Sequence, residues 1–336
     1  MCDCRGVGDY CATFEKKSMF LKQSFTPENK FWKYLVGSVV VILAAVIGQG
    51  PMLLFITAEA FASGRAFPAT NDQVMGFLEP NLTLFLLLIS FAVALLGLYL
   101  VVKVLHRQDF KSIVTARPRL DWGRIFFAFT LWALIVAVTT YAGYLMAPED
   151  YIVQFRWDKF LILAAIAIPL IPVQTSVEEF VFRGYLMQGF ANLSKTRLFP
   201  LVMTSVIFGV MHVLNPEVEM MGYIIMVFYI GTGLFLGITV LMDDGLELAL
   251  GFHAANNLVA ALLVTADWTA FQTHSVLKDI SEPDAGFDVV LPVLVIFPIV
   301  LFIFSKRYRW SGWLRRLTGL VTTQTHDTDY PNSKIY

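Results

Sequence analysis

The run DKFLILAAIAIPLIPVQTSVEEFVFR, residues 158–183, decides how this chain reads. Its first part, 158–174, is an apolar helix candidate for a bilayer, where about 20 residues cross roughly 30 Å of hydrocarbon. Its second part brings in Glu178, Glu179 and Arg183 without interrupting the pattern, so 175–193 is expected to prolong the same helix. Pro169 and Pro172 are expected to kink it. Such a bend is tolerated where neighbouring helices or water re-satisfy the freed carbonyls, which places it inside a bundle. Each ionisable group costs on the order of 2.5–3.5 kcal/mol at mid-bilayer, so two carboxylates and a guanidinium on this helix mark where chemistry is to be sought.

Further apolar runs lie at 34–57, 81–102, 124–146, 199–214, 222–242, 246–266 and 288–305. With the first, they predict an all-α fold, a polytopic membrane bundle of about eight transmembrane helices. Composition agrees: 57% of the 336 residues are hydrophobic and 15% charged, more apolar surface than one water-soluble core hides. Disordered, collagenous and disulfide-rich secreted classes are excluded. The formal charge of -1 gives no reason to expect nucleic acid as a partner, whereas the lipid bilayer is one. The three cysteines, Cys2, Cys4 and Cys11, all precede the first span, so no disulfide staples the body of the protein. Cys2 and Cys4 form a weak metal motif, and an unstructured tail is the expected state of this segment.

Lysine and arginine set the orientation by the positive-inside rule. Arg5, Lys16, Lys17, Lys22, Lys30 and Lys33 precede the first run, and Lys103, Arg107, Lys111, Arg117, Arg119 and Arg124 fill the second connection. By contrast 58–80 has Arg65 alone, 215–221 has Glu217 and Glu219 without a base, and 267–287 has one lysine among acids. Lys306, Arg307, Arg309, Arg315 and Arg316 follow the last run. Both termini are therefore expected in the cytoplasm of a multi-pass protein, with a bacterial inner membrane as the expected location. No apolar signal-peptide core precedes the first span. The expected organisation is a tail over 1–33, three transmembrane helices over 34–157, a catalytic core over 158–266, an outer loop and last helix over 267–305, and a tail over 306–336 that frays after about 318.

Ionisable residues within the apolar portion fall into four groups. In the first, Glu179 and Arg183 are four apart on one helical face and are expected to pair. Glu178 points about 100° away, free to address another helix; a carboxylate in a low-dielectric site tends toward the raised pKa of a general base. The alternative is a purely structural clamp. The second group is Phe208-x-x-x-His212 and the third His253-x-x-x-Asn257. The fourth, Asp243, Asp244 and Glu247, sits at a short inner turn where solvation suffices to explain it. Ser194–Arg197 is a polar turn, so the flanking helices form a hairpin in which positions summing to about 390 stand level, and Glu178 and His212 satisfy this roughly 25 Å from the turn. His253 comes level with them only if the Asp243–Gly245 turn is recessed. Carboxylate, imidazoles and an amide gathered in one place support hydrolysis: a base for water, and donors for a tetrahedral oxyanion. Glu, His and His also meet the ligand requirement of Zn²⁺ with one open position, although one glutamate does not readily serve as both ligand and base.

Taken together, Glu-Glu-x-x-x-Arg at 178–183, Phe-x-x-x-His at 208–212 and His-x-x-x-Asn at 253–257 closely resemble the CPBP intramembrane protease family, also called Abi or type II CAAX endopeptidases, in order and spacing over roughly 158–266. The resemblance implies an intramembrane endopeptidase acting on a peptide or protein substrate. Glu178 would activate water, His212 and His253 would complete the site, Asn257 would help to stabilise the oxyanion, and Glu179 and Arg183 would organise the motif. Zn²⁺ on His212 and His253 enters as a possible cofactor. The competing function is a proton-linked transporter or a non-catalytic membrane scaffold, since buried Glu and His also make proton relays; the absence of an inverted repeat counts against a transporter. Gly231, Gly233 and Gly237 are expected to let another helix backbone approach closely.

Overall fold

A computed structural model describes residues 20–283 and 286–321. The cysteines and the chain beyond 321 lie outside them. The bundle is built from α1 (Phe31–Ser63), α2 (Pro80–Leu105), α3 (Trp122–Met146), α4 (Trp157–Ser194), α5 (Leu198–Met211), α6 (Pro216–Asp243), α7 (Glu247–Leu263) and α8 (Val289–Tyr308). All but α5 and α7 are long and apolar enough to cross a membrane. Large apolar side chains such as Ile47, Leu54 and Val138 point outward, as in a protein whose solvent is lipid. The expected runs 199–214 and 246–266 are shorter as helices: α5 has 14 residues and α7 has 17, about 21 and 25 Å of helix. Residues 212–214 turn out of the helix, and 264–266 leave it as a strand.

Three short strands, β1 (Tyr151–Val153), β2 (Val264–Ala266) and β3 (Leu277–Asp279), form a sheet in the order β1-β3-β2. It is the one sheet among the described residues, beside the isolated bridges Thr115–Gly245 and Thr196–Leu320. It ties the connection between α3 and α4 to the one between α7 and α8. Nearby, Glu79 accepts hydrogen bonds from Lys159 at 3.2 Å and His274 at 2.8 Å, Asn71 donates to the Leu214 carbonyl at 2.7 Å, and the Ala270 N–H donates to Glu217 at 2.8 Å. The connections read as outward-facing therefore meet on one face.

The opposite face is held by charge. The turn between α6 and α7 is not solvated, contrary to expectation: Asp243 is 5% exposed and Glu247 fully buried. The Arg117 guanidinium donates to Glu247 at 2.8 Å and to Asp243 at 2.9 Å, Thr115 donates to Glu247 at 2.7 Å, and Arg124 also pairs with Asp243. Trp310 donates to Asp243 and Arg316 to Asp244. Buried carboxylates need such partners to offset desolvation, and these come from the basic second connection and the C-terminal segment, which cover the turn. The turn is thereby recessed, and α7 starts deep in the protein.

Within α4 the helix runs in α geometry through Pro169 and Pro172. Just after Glu179 the ladder changes, and Phe180–Leu186 widens into a π-turn. An aromatic core locks α3, α6, α7 and α8 together: Trp132 lies 4.2 Å from Phe252, Phe252 4.6 Å from Phe235, and Phe235 4.7 Å from Phe297, centroid to centroid.

Candidate active site

The α4–α5 hairpin has the expected register. Lys195 turns it in the left-handed region at φ 59°, and the rings of Phe182 and Phe208, whose positions sum to the same value as those of Glu178 and His212, meet edge-on at 5.3 Å. The recessed inner turn then raises α7 until His253 reaches α4 at the level of the two glutamates.

Four side chains close around this meeting point. Glu179 and Arg183 pair at 3.0 Å, both fully buried. His253 Nδ1 donates to the same Glu179 oxygen at 2.8 Å, since a paired carboxylate only accepts. In the neutral imidazole that bond fixes the tautomer and leaves Nε2 as the acceptor nitrogen, 3.6 Å from Glu178 Oε2. Arg183 also donates to the Gly233 carbonyl at 3.4 Å and stacks its guanidinium 4.2 Å from the Phe208 ring centroid. Phe208, the first residue of the second motif, is thus a platform for the arginine of the first.

The two glutamates part by exposure. The Glu179 side chain is fully buried and engaged, whereas Glu178 keeps 15% of its side chain accessible. Of this pair, Glu178 is the accessible one.

His212 occupies the C-terminal cap of α5, where its Nδ1–H donates to the Phe208 carbonyl at 2.7 Å and its ring stacks on Tyr229 at 4.4 Å. In the neutral imidazole its Nε2 is then the acceptor nitrogen. The imidazole that adjoins Glu178 is that of His253, so the glutamate's expected partner shifts from one histidine to the other. Asn257 lies one turn beyond His253 and donates to Gln174 Oε1 at 3.1 Å; Gln174 in turn donates to Glu178 Oε1.

A zinc ion asks for three protein ligands at about 2.0–2.2 Å. Two bare imidazole nitrogens and a carboxylate suit it in kind, but among the described residues no three His, Cys, Asp or Glu side chains are grouped to hold a metal.

Gln174, Asn256, Trp132 and Tyr229 were not singled out from sequence. Gln174 carried a signal, a polar residue one helical turn before Glu178 on the same face. Asn256 is the last variable position of the third motif. Nothing in the pattern around Trp132 points to the site.

Comparison with known proteins bears on the same helical core. Residues 157–259 match the family described as type II CAAX prenyl endopeptidase Rce1-like, the same group that the three motifs resemble. The chain is 28% identical over 238 residues to the uncharacterized protein YyaK of Bacillus subtilis (strain 168), an alignment covering 70% of this chain and 79% of that protein. No solved structure matches the chain. The match to a membrane protease family and the apolar helices make this a multi-pass integral membrane protein.

Proposed function

We propose that this protein is an intramembrane endopeptidase that hydrolyses a peptide bond with water activated by Glu178. The observation that carries the proposal is the Glu178–His253–Glu179–Arg183 chain, in which one carboxylate meets solvent and the other is locked. A water held between Glu178 Oε2 and His253 Nε2 has an acceptor for each of its protons. Glu178 takes one proton as the oxygen bonds to the scissile carbonyl carbon. The oxyanion that forms is stabilised by the Asn257 amide, which has a second N–H besides the one given to Gln174. Collapse breaks the C–N bond, and the proton on Glu178 passes to the leaving amine.

Glu179 and Arg183 position His253. His212 Nε2, an acceptor in its tautomer, orients water or substrate N–H at the outer edge of the site. No step is routed through a metal. A stoichiometric zinc content in the purified protein would assign His212 and His253 as its ligands. The substrate is a peptide or protein segment reaching Glu178 from the cytoplasmic or lipid side, and both termini face the cytoplasm. The test is cleavage by reconstituted protein: Glu178→Gln abolishes peptide product with the fold intact, whereas wild-type rates in that variant contradict the assignment of the base.

A further inference from the structure

The hydrogen bonds behind Glu178 form a one-way line. The Trp132 indole N–H, which can only donate, reaches Asn256 Oδ1 at 3.0 Å. Asn256 Nδ2 then donates to Asn257 Oδ1 at 3.0 Å, Asn257 Nδ2 to Gln174 Oε1 at 3.1 Å, and Gln174 Nε2 to Glu178 Oε1. An amide has one accepting and one donating end. Turning any of the three round would set donor against donor or acceptor against acceptor, so the indole dictates the orientation of every link. Gln174 is itself 4% exposed, with little water to offer alternatives.

We infer that Gln174 and Trp132 are positioning residues, which together keep an amide N–H, and never an amide oxygen, against Glu178. The inference rests on the reading of Glu178 as the base. Held at Oε1, the carboxylate presents Oε2 to His253 and to water. Turned round, Gln174 would set its carbonyl oxygen against the carboxylate and drive it out of this geometry. Trp132 stands on α3, outside the 157–259 segment that matches the protease family. One of the three N-terminal helices thereby supplies a part of the site.

The test is a double-mutant cycle on reconstituted protein. Gln174→Leu lowers kcat about 10- to 100-fold with KM unchanged within about twofold, the scale of a lost hydrogen bond to a charged group. Trp132→Phe keeps the ring packed on Phe252 and lowers kcat about 3- to 10-fold, yet changes it less than about twofold in the Gln174→Leu background, because the indole acts only through Gln174. Equal effects of Trp132→Phe in both backgrounds, or losses confined to KM, overturn the inference while leaving Glu178-dependent cleavage standing. A second readout needs no activity. With the glutamine side chain isotope-labelled, Trp132→Phe shifts the Gln174 amide resonance through two intervening asparagines. An unmoved resonance overturns the relay even if no peptide product is ever found.

Discussion

Adjacent glutamates here have opposite duties, and burial separates them. Glu179 shares one oxygen between Arg183 and His253 in a fully enclosed position, so removing either charge alone strands the other. Arg183→Met is expected to destabilise the protein by about 3–5 kcal/mol, and adding Glu179→Gln to recover part of that, as read from unfolding in detergent. A loss no larger than that of a surface substitution would contradict the closed pair. His106 carries a second residue-scale prediction. It is buried, with Nδ1 2.7 Å from Asn29 Oδ1 and Nε2 2.8 Å from the Tyr185 hydroxyl. Burial, aided by the Lys33 charge, pushes its pKa down to about 4. Between about pH 6.5 and 4 the unfolded chain binds the extra proton, so this stabilisation is complete above pH 6.5 and falls away on acidification, by on the order of 3 kcal/mol. Unfolding at pH 5 and pH 7 should therefore differ for the wild type and much less for His106→Gln. At this scale the pairing of Glu179 with Arg183 was legible from their spacing, whereas the turn of His253 toward Glu178 was not. It depends on how far α7 is raised, which neighbouring residues do not encode.

Helix contacts set that height. Gly233 on α6 faces the Ser205 backbone of α5, where an added Cβ would stand 2.8 Å from Cα and 2.9 Å from the carbonyl oxygen. The close approach expected of this glycine is realised, and the Gly233 carbonyl it positions accepts from Arg183. Gly233→Ala should cost about 1–3 kcal/mol through overpacking, seen as a lower melting temperature, with cleavage reduced as well. Gly251 on α7 lies against α3, where a Cβ would meet Phe129 N at 3.0 Å. The same interface carries Trp132 to Asn256, so Gly251→Ala should shift the Trp132 indole resonance; an unchanged resonance would separate helix packing from the relay. The hairpin register was legible because Ser194–Arg197 is a plain polar turn between apolar runs. The π-turn after Glu179 was not, since no proline or glycine pair marks its start. The recessed α6–α7 turn was hidden because its counter-charges, Arg117 before α3 and Arg124 in the first turn of α3, come from far away in sequence.

The whole molecule sorts its connections onto two faces. Basic connections converge on Asp243, Asp244 and Glu247, and acidic or neutral ones on the small sheet. This sorting was legible in the distribution of lysine and arginine; the sheet was not, since strands of three residues leave too short an alternation to detect. With Cys2, Cys4 and Cys11 replaced by serine, Glu149→Cys should react with a membrane-impermeant thiol reagent in intact cells, and Arg119→Cys only after permeabilisation. The reverse pattern would invert the proposed topology. The account depends above all on Glu178 meeting water at a buried, pre-oriented site. Its most direct test is comparative peptidomics of membranes holding the wild type and Glu178→Gln at equal abundance. The account predicts cleavage products present with the wild type and absent, or reduced at least about a hundredfold, with the variant; identical product sets would contradict it.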